Sequence, residues 1–354
     1  MRRRLHLIGL LCLVAAMLVV AGCGSDDNSS TSTSGGAAAG STSTAAAAKK
    51  IKVGLVTDIG GLNDRSFNQL ANQGLQTAVK QLGVDGRVLI SKQNSDYIPN
   101  LTTLAQQKYD LIIGNGFLMA DAVETAAKKF PQQKFAIIDY SPTLMKSKPT
   151  NVLGLPFKEQ EAGYLVGYLA GLYAKDNGGS VSSVGGQKIP PVDHYIAGFQ
   201  AGAKKANPSV KALNGYSQSF TDQAKCKEIA LDQIAKGSKV VFQVAGSCGL
   251  GAIDAAKEKS MQAIGVDADQ SYLGPQIITS ALKKVDVAVF DAIKSVQDNT
   301  YKGGADVIAS LKTNGVGIGK ISAAGQKYAA QVKDIQQQIL DGSITPPDTV
   351  GSGT

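Results

Sequence analysis

The sequence contains very little histidine, and this restricts the chemistry that the protein can perform. Its 354 residues include two histidines, His6 near the N-terminus and His194. Because histidine is a common zinc ligand and the usual base of a catalytic triad, this scarcity argues against both kinds of site. We interpret His194 as a residue on the surface of a helix. The sequence therefore predicts a protein that is not an enzyme and that uses no metal and no cofactor.

Two nucleotide-binding motifs are also missing. No segment has the G-x-x-x-x-G-K-S/T pattern of a phosphate-binding loop, which excludes the ATPase subunit of a transporter. The segment from Gly246 to Gly251 is rich in glycine, but its glycines are in the wrong order for a dinucleotide-binding loop. We interpret it as a turn that offers backbone amides to a small ligand.

The positive charge is modest and scattered. The formal net charge of +8 falls to +5 if Arg2, Arg3 and Arg4 are removed with a signal peptide. No basic run is interleaved with aromatic residues, which make up 6% of the chain. The sequence therefore argues against nucleic acid as a partner.

The N-terminus predicts a lipoprotein. Three arginines precede an apolar run that ends in Val20-Ala21-Gly22-Cys23, so we expect a signal peptide over residues 1–22 and a lipidated Cys23. The alternatives are a plain secretory signal and an uncleaved anchor helix. Residues 24–49 are almost entirely Ser, Thr, Gly and Ala and predict a flexible tether. The folded part is then expected outside the cytoplasm, anchored to the cell membrane through Cys23.

Two cysteines remain in the folded part, Cys226 and Cys248. Exported proteins commonly pair such cysteines, and we predict a disulfide between them. Two buried free thiols are the alternative.

From Ile51 onward, short apolar runs alternate with helical segments. This alternation predicts an α/β fold with parallel sheets covered by helices on both faces. The number of units favours two doubly wound lobes joined by a hinge, with a ligand cleft between them, in a monomeric protein. Lobe 1 is predicted over residues 50–153 plus about 282–318, and lobe 2 over 154–281 plus about 319–354. The chain is expected to cross between the lobes near residues 151–157, 277–282 and 315–321.

The segment from Thr57 to Gln69 is predicted to form the mouth of a binding site. It follows an apolar strand and begins a helix, which Asn63 and Asp64 can cap. Asp58 stands at the carboxyl end of the strand, where ligands bind in open parallel sheets. Phe67 lies on the apolar stripe of the helix, so it belongs either to the core or to the cleft.

Polar residues or glycines stand at the ends of other predicted strands as well. By the strand-end rule they converge on the cleft, although each is also a plausible turn or helix-cap residue. They are Asn115, Asp139, Gly246 and Asp267, with Asp121 just inside the helix that follows the Asn115 strand.

Several ordered motifs in this sequence resemble the basic membrane protein family, whose members are substrate-binding lipoproteins of ABC transporters similar to the purine nucleoside receptor A type. The resemblance covers nearly the whole predicted domain. It is carried by Val53 to Asp58, Ser66 to Gln69, Lys134 to Asp139, Ser219 to Asp222, Phe242 to Gly246 and Gly265 to Gln270.

The resemblance implies a type I periplasmic-binding fold that captures a nucleoside and passes it to an ABC permease. Phe67 and Phe220 are expected to sandwich the base, and Asp267 and Lys283 to hold the ribose with the Gly246 backbone. The alternating Asp269 is the other candidate for the ribose contact. The remaining residues expected in the pocket are Asp58, Asn68, Asn115 and Asp121.

Two departures and three alternatives remain open. Cys226 and Cys248 stand where the family is expected to have small residues such as Gly and Thr, and a bridge there would stiffen the Gly246 turn. A receptor for a sugar or a signalling molecule is possible on the same fold. A surface adhesin and a nucleoside hydrolase are the alternatives from other classes.

Overall fold

The computed structural model describes residues 50–351, which contain two sheets. The predicted signal peptide, the predicted lipid site Cys23 and the predicted tether lie outside the described residues. Between residues 50 and 351, no helix combines the length and the apolar character that a membrane span requires.

The first sheet has five parallel strands in the order β2-β1-β3-β4-β5. The last three of these strands are almost completely buried and mostly apolar, as parallel strands covered on both faces should be. The strands are β1 (Lys52–Val56), β2 (Asp85–Leu89), β3 (Leu111–Asn115), β4 (Lys134–Ile138) and β5 (Val152–Leu155). The helices between them are α1 (Phe67–Leu82), α2 (Tyr97–Gln106) and α3 (Ala120–Lys129).

The second sheet has six strands in the order β11-β10-β9-β8-β6-β7, with only the β10–β11 pair antiparallel. Read from β7, this order repeats that of the first sheet and adds a sixth strand. The strands are β6 (Ser180–Gly185), β7 (Ala212–Tyr216), β8 (Ser238–Val244), β9 (Gln262–Asp267), β10 (Ile277–Lys283) and β11 (Val316–Ile318). The helices are α4 (Glu159–Asn177), α5 (Pro190–Ala206), α6 (Gln223–Ala235), α7 (Gly249–Glu258), α8 (Val285–Gln297) and α9 (Ala329–Leu340).

The predicted α/β fold with two parallel-sheet lobes is confirmed. Four elements were not predicted: α2, β6, β11 and α9. Strand β6 was missed because it is rich in serine and lacks the apolar run of a buried strand. Its serines can be buried because they bond to neighbouring strands, Ser182 to Ser238 at 2.8 Å and Ser183 to Asn214 at 3.0 Å. Strand β11 pairs with β10 in the second sheet, although the predicted division placed residues up to about 318 in lobe 1.

Three connections join the lobes. The chain passes from β5 of the first sheet to α4, from β10 to α8, and from α8 back to β11. Helix α8 packs on α1 of the first lobe, where the backbone oxygen of Asp286 leaves no room for a side chain at Gly74. Because β1, β3, β4, β8, β9 and β10 all end towards the space between the sheets, their carboxyl ends can form one site.

Candidate ligand-binding cleft

A cleft of about 630 Å³ of empty space, part of it open to solvent, lies between the two sheets. Seven of the predicted ligand residues line it. They are Asp58, Phe67, Asn68, Phe220, Gly246, Asp267 and Lys283. The side chains come from both lobes, so the strand-end rule brings together residues that are up to about 225 positions apart in the sequence.

The mouth loop is built around Asp64, which caps α1. Its carboxylate accepts hydrogen bonds from the backbone amides of Ser66 at 3.1 Å, Asn68 at 2.7 Å and Gln69 at 3.0 Å. Three of the amides that a helix start leaves without partners are therefore satisfied by one side chain. Asn63, the other predicted cap, is exposed.

An amide network behind the loop fixes Asp58. The Asn68 Nδ2 donates to Asp64, so its Oδ1 is free to accept from the backbone amide of Asp58 at 3.0 Å and from Asn115 Nδ2 at 3.0 Å. Asn115 is completely buried behind Asn68 and does not line the cleft. The two asparagines therefore hold the loop, and Asn68 alone of the two reaches the cleft surface.

Asp58 is 7% exposed and stands against the cleft. Its Oδ1 accepts a hydrogen bond from the Tyr97 hydroxyl and one from the backbone amide of Ile59 at 2.6 Å. Burial raises the pKa of Asp58 to about 6, and these two hydrogen bonds oppose the rise. The carboxyl group is thus poised to change its charge close to neutral pH.

Phe220 lies on the side of the cleft formed by the second lobe, and its backbone is hydrogen-bonded to the glycine turn after β8. The Phe220 carbonyl accepts from the backbone amide of Cys248 at 3.0 Å and from the Ser247 hydroxyl at 3.0 Å. A side chain at Gly186 would lie 2.4 Å from ring carbons of Phe220. The predicted disulfide between Cys226 and Cys248 is present beneath this wall.

A buried ion cluster forms the floor. Lys283 is 2% exposed, and its Nζ lies 2.6 Å from an Asp139 oxygen and 2.8 Å from Glu159 Oε1. The other oxygen of Glu159 lies 3.2 Å from His194 Nδ1. The lysine also stands 5.2 Å from the centre of the Phe67 ring, so the cluster and the aromatic wall are in contact.

The two acids of this cluster, Asp139 and Glu159, share the positive charge of Lys283. Burial raises the pKa of Asp139 to about 7 against the attraction of Lys283. Burial also opposes ionisation of Glu159, but Lys283 and His194 lower its pKa below the usual value. His194 was predicted to be a surface residue; it is instead partly buried, and its contact with Glu159 raises its pKa although burial opposes the charge.

Asp267 bridges the lobes. Its Oδ2 accepts from the hydroxyl of Ser66, at the start of α1, at 2.6 Å, and its Oδ1 accepts from the hydroxyl of Tyr195, on α5, at 3.1 Å. Asp269 lies outside the cleft and accepts instead from the backbone amides of Ser271 and Lys320. Burial raises the pKa of Asp267.

Asp139 and Asp267 have a similar and unusual backbone conformation. Their φ angles are 67° and 60°, in the left-handed region that non-glycine residues seldom adopt. Such strain concentrates at functional sites. Both residues end a strand on the cleft side, one in each lobe.

Asp121 is a correction to the predicted site. It is exposed in the first turn of α3 and does not line the cleft. A short turn, Phe117–Met119, separates β3 from α3 and carries Asp121 away from the strand end. Phe117 of that turn lines the cleft in its place.

Other lining residues were not among the predicted ligand contacts. Asp139 had been noted as a strand-end residue, and its position was the signal for it. Tyr195 is on a helix, where periodicity alone marks it as core, so no sequence signal identified it. Asp64, Phe117 and Ser247 are the other polar or aromatic lining residues that were missed.

Known proteins resemble this chain over most of its length. Residues 51–349 match the family described as "Bmp: ABC transporter substrate-binding protein PnrA-like". The chain belongs to this family. The predicted membership of the basic membrane protein family is therefore confirmed, and the chain is an ABC transporter substrate-binding protein by family and fold.

Individual relatives agree with this assignment. An uncharacterised lipoprotein of Pyrococcus abyssi is 38% identical over 305 residues, which cover 81% of this chain and 74% of the relative. The ABC transporter nucleoside-binding protein BmpA of Lactococcus lactis is 34% identical over 84% of this chain and 89% of its own. A solved ABC transporter solute-binding protein of Aeropyrum pernix superposes with a TM-score of 0.76 at 28% identity, covering 84% of this chain and 94% of its own. The type I periplasmic-binding fold is thus confirmed.

Proposed function

We propose that the protein is a lipid-anchored, extracytoplasmic receptor that captures a nucleoside, with purine nucleosides preferred, and delivers it to an ABC permease. The observation that carries the proposal is the composition of the cleft. Two half-buried phenylalanines from different lobes, Phe67 and Phe220, line the same cavity as a charged floor. An aromatic ligand with a polyhydroxylated end matches both features.

The aromatic walls suit a flat base. Stacking on an aromatic side chain contributes about 1–3 kcal/mol per base and favours the larger surface of a purine. Because Phe67 is on lobe 1 and Phe220 on lobe 2, a base between them gains both contacts only when the lobes are closed.

The floor suits a ribose. A carboxylate offers about four acceptor positions, and in Asp267 two of them are used by Ser66 and Tyr195. Vicinal ribose hydroxyls can donate to the remaining positions and to Asp139, while Lys283 donates to a ribose oxygen. A ligand that lacks these hydroxyls leaves buried acceptors unpaired, which costs about 1–3 kcal/mol each.

The relatives support anchoring and delivery. The Pyrococcus abyssi relative is named a lipoprotein, and the Lactococcus lactis relative is named a nucleoside-binding protein of an ABC transporter. Cys23 is the proposed lipid site, and the Ser-, Thr-, Gly- and Ala-rich composition of residues 24–49 suits the proposed link between Cys23 and the folded part.

The test is a binding screen with purified protein from which co-purified ligand has been removed by unfolding and refolding with the disulfide intact. Purine and pyrimidine nucleosides, free bases and pentoses are compared by thermal shift and calorimetry. A ligand at 100 times its dissociation constant stabilises the protein by about 2.7 kcal/mol. We expect nucleosides to stabilise the protein and pentoses to have no effect.

Variants then test the stacking. Phe67→Ala and Phe220→Ala should each weaken nucleoside binding by about 1–3 kcal/mol. Phe130→Ala is the matched control, because Phe130 directly follows α3, does not line the cleft and should leave affinity unchanged. Unchanged affinity in both cleft variants would contradict the sandwich. Stabilisation by pentoses alone would identify a sugar receptor, and release of free base would identify a hydrolase.

A further inference from the structure

The disulfide joins two segments of the second lobe that both border the cleft. Cys226 lies in the first turn of α6, and Cys248 directly precedes α7. Both side chains are completely buried in an apolar cluster. The segment before Cys226 carries Phe220, and the turn before Cys248 contains the cleft residues Gly246 and Ser247.

The Phe220 segment depends on that turn for its position. The carbonyl of Phe220 accepts from the amide of Cys248 and the hydroxyl of Ser247, both at 3.0 Å. On its other side, the amide of Cys226 donates to the carbonyl of Asp222 at 3.4 Å. The disulfide therefore closes a small ring of contacts from Phe220 through Asp222 and Cys226 to Cys248 and back.

The start of the segment is also held by backbone hydrogen bonds from Ser217 to Gly185 at 2.9 Å and from Gln218 to Gly186 at 2.8 Å, but few buried contacts hold the part that carries Phe220. Gln218 and Thr221 are exposed, and Ser219, Phe220 and Asp222 are only partly buried. Segments with few buried apolar contacts open more readily than the elements beside them. Between Ser217 and Cys226 no residue is fully buried, so the sulfur bridge is the one covalent and fully buried attachment of this part of the described chain.

We propose that the Cys226–Cys248 disulfide positions Phe220 for the ligand by holding the Phe220 segment against the Gly246 turn before the ligand arrives. This proposal rests on the proposed function, because the position of Phe220 matters to a ligand that stacks on it. Holding the segment in its binding arrangement lowers the ordering cost that the ligand must otherwise meet.

A purely structural bridge behaves differently. It would raise the stability of the whole domain and leave the affinity of the folded protein unchanged. A positioning bridge changes affinity, and it does so through Phe220. The two roles therefore separate in a cycle that combines loss of the disulfide with loss of the Phe220 ring.

The experiment replaces both cysteines in the full chain, Cys226→Ala with Cys248→Ala, and measures nucleoside affinity by calorimetry at a temperature where the variant is folded. If the freed segment is in its binding arrangement about a tenth of the time, the dissociation constant rises about tenfold. Phe220→Ala should then cost less in the disulfide-free protein than in the wild type. Ile253→Val is the matched control, because Ile253 is buried in the same apolar cluster on α7 and does not line the cleft.

A second measurement does not need a ligand. Amide hydrogen exchange of the ligand-free protein should become faster at residues 217–221 and 245–249 in the disulfide-free variant, while the strands of the second sheet keep their protection. Exchange in the Ile253→Val control should stay as in the wild type at both segments.

The outcomes are distinct. Unchanged affinity, or a tenfold loss to which Phe220→Ala adds its full wild-type cost, overturns the positioning role. If the wild type binds no nucleoside, the proposed function fails by itself, and the exchange experiment still decides whether the bridge holds the Phe220 segment. Unchanged exchange at that segment overturns the inference in either case.

Discussion

Replacing Lys283 by methionine should destabilise the protein strongly and in a manner that depends on pH. The lysine is 2% exposed and is the cation that Asp139 and Glu159 share, at 2.6 and 2.8 Å. Methionine fills similar space without a charge and leaves the acids uncompensated. Removing one partner of a buried ion pair costs about 3–5 kcal/mol, and we expect this loss at pH 8.

The direction of the pH effect follows from the acids. Burial raises the pKa of Asp139 to about 7, so the folded protein holds a proton that the unfolded chain releases above about pH 4. Asp139 therefore reduces the free energy of unfolding as the pH rises from about 4 to 7. Because Lys283 lowers the pKa of Asp139, removing the lysine extends this pH range upward. At pH 5 Asp139 is protonated and His194 is charged beside Glu159, so the variant should lose less than at pH 8.

The assay is urea unfolding of ligand-free protein at pH 5 and pH 8, followed by circular dichroism. Lys284→Met is the control, because Lys284 is the next residue, is only partly buried and has no ion pair in the described structure. It should change the free energy of unfolding by less than about 0.5 kcal/mol. An equal loss at both pH values for Lys283→Met, or a loss below about 1 kcal/mol at pH 8, would refute the reasoning.

Three further predictions concern the cleft. Ser66→Ala removes the inter-lobe hydrogen bond to Asp267, so the ligand-free protein should adopt a larger radius of gyration in X-ray scattering; an identical radius would show that the bond does not hold the lobes. Nucleoside affinity should fall as the pH drops below about 6, where Asp58 gains a proton, and Asp58→Asn should remove this step from a calorimetric pH series; a flat wild-type profile would contradict a role for the ionised group. Gly186→Ala should displace the Phe220 ring, whose carbons lie 2.4 Å from the new Cβ position, and weaken binding about tenfold while the unfolding midpoint changes little; unchanged affinity would show that the ring has room to move.

The sheets were predictable because buried parallel strands are continuous apolar runs. Strands β1, β3 and β4 contain hardly any polar residue, and their ends were placed within one or two positions. Strand β6 fails this rule because it is half serine. Its polar groups are satisfied by neighbouring strands, and the sequence of one strand does not show what its neighbours supply.

The strand-end rule predicted those site residues whose position follows from the ends of the strands. Asp58 and Gly246 stand two residues beyond the ends of β1 and β8, Asp267 is the last residue of β9, and each lines the cleft. The rule gives no account of which helix faces turn towards the cleft. Tyr195 is such a helix residue, and Glu159 is a helix residue buried behind the cleft lining. Their roles became visible only through their contacts with Asp267 and Lys283.

The contacts of Asp267 bear on how a ligand closes the lobes. Its carboxylate already accepts from Ser66 of the opposite lobe, and Gln270 of the second lobe donates to the carbonyl of Arg65 at 3.1 Å. Both bonds join groups of the protein itself, so closure of the lobes forms them in addition to any contact that the ligand makes. A ligand that entered an open cleft would meet Asp267 after its bond to Ser66 had broken, and closure would restore that bond beside the new ones. The Ser66 bond then favours closure with every ligand alike, and discrimination between ligands rests on Phe67, Phe220 and the acceptor positions of Asp267 that Ser66 and Tyr195 do not use.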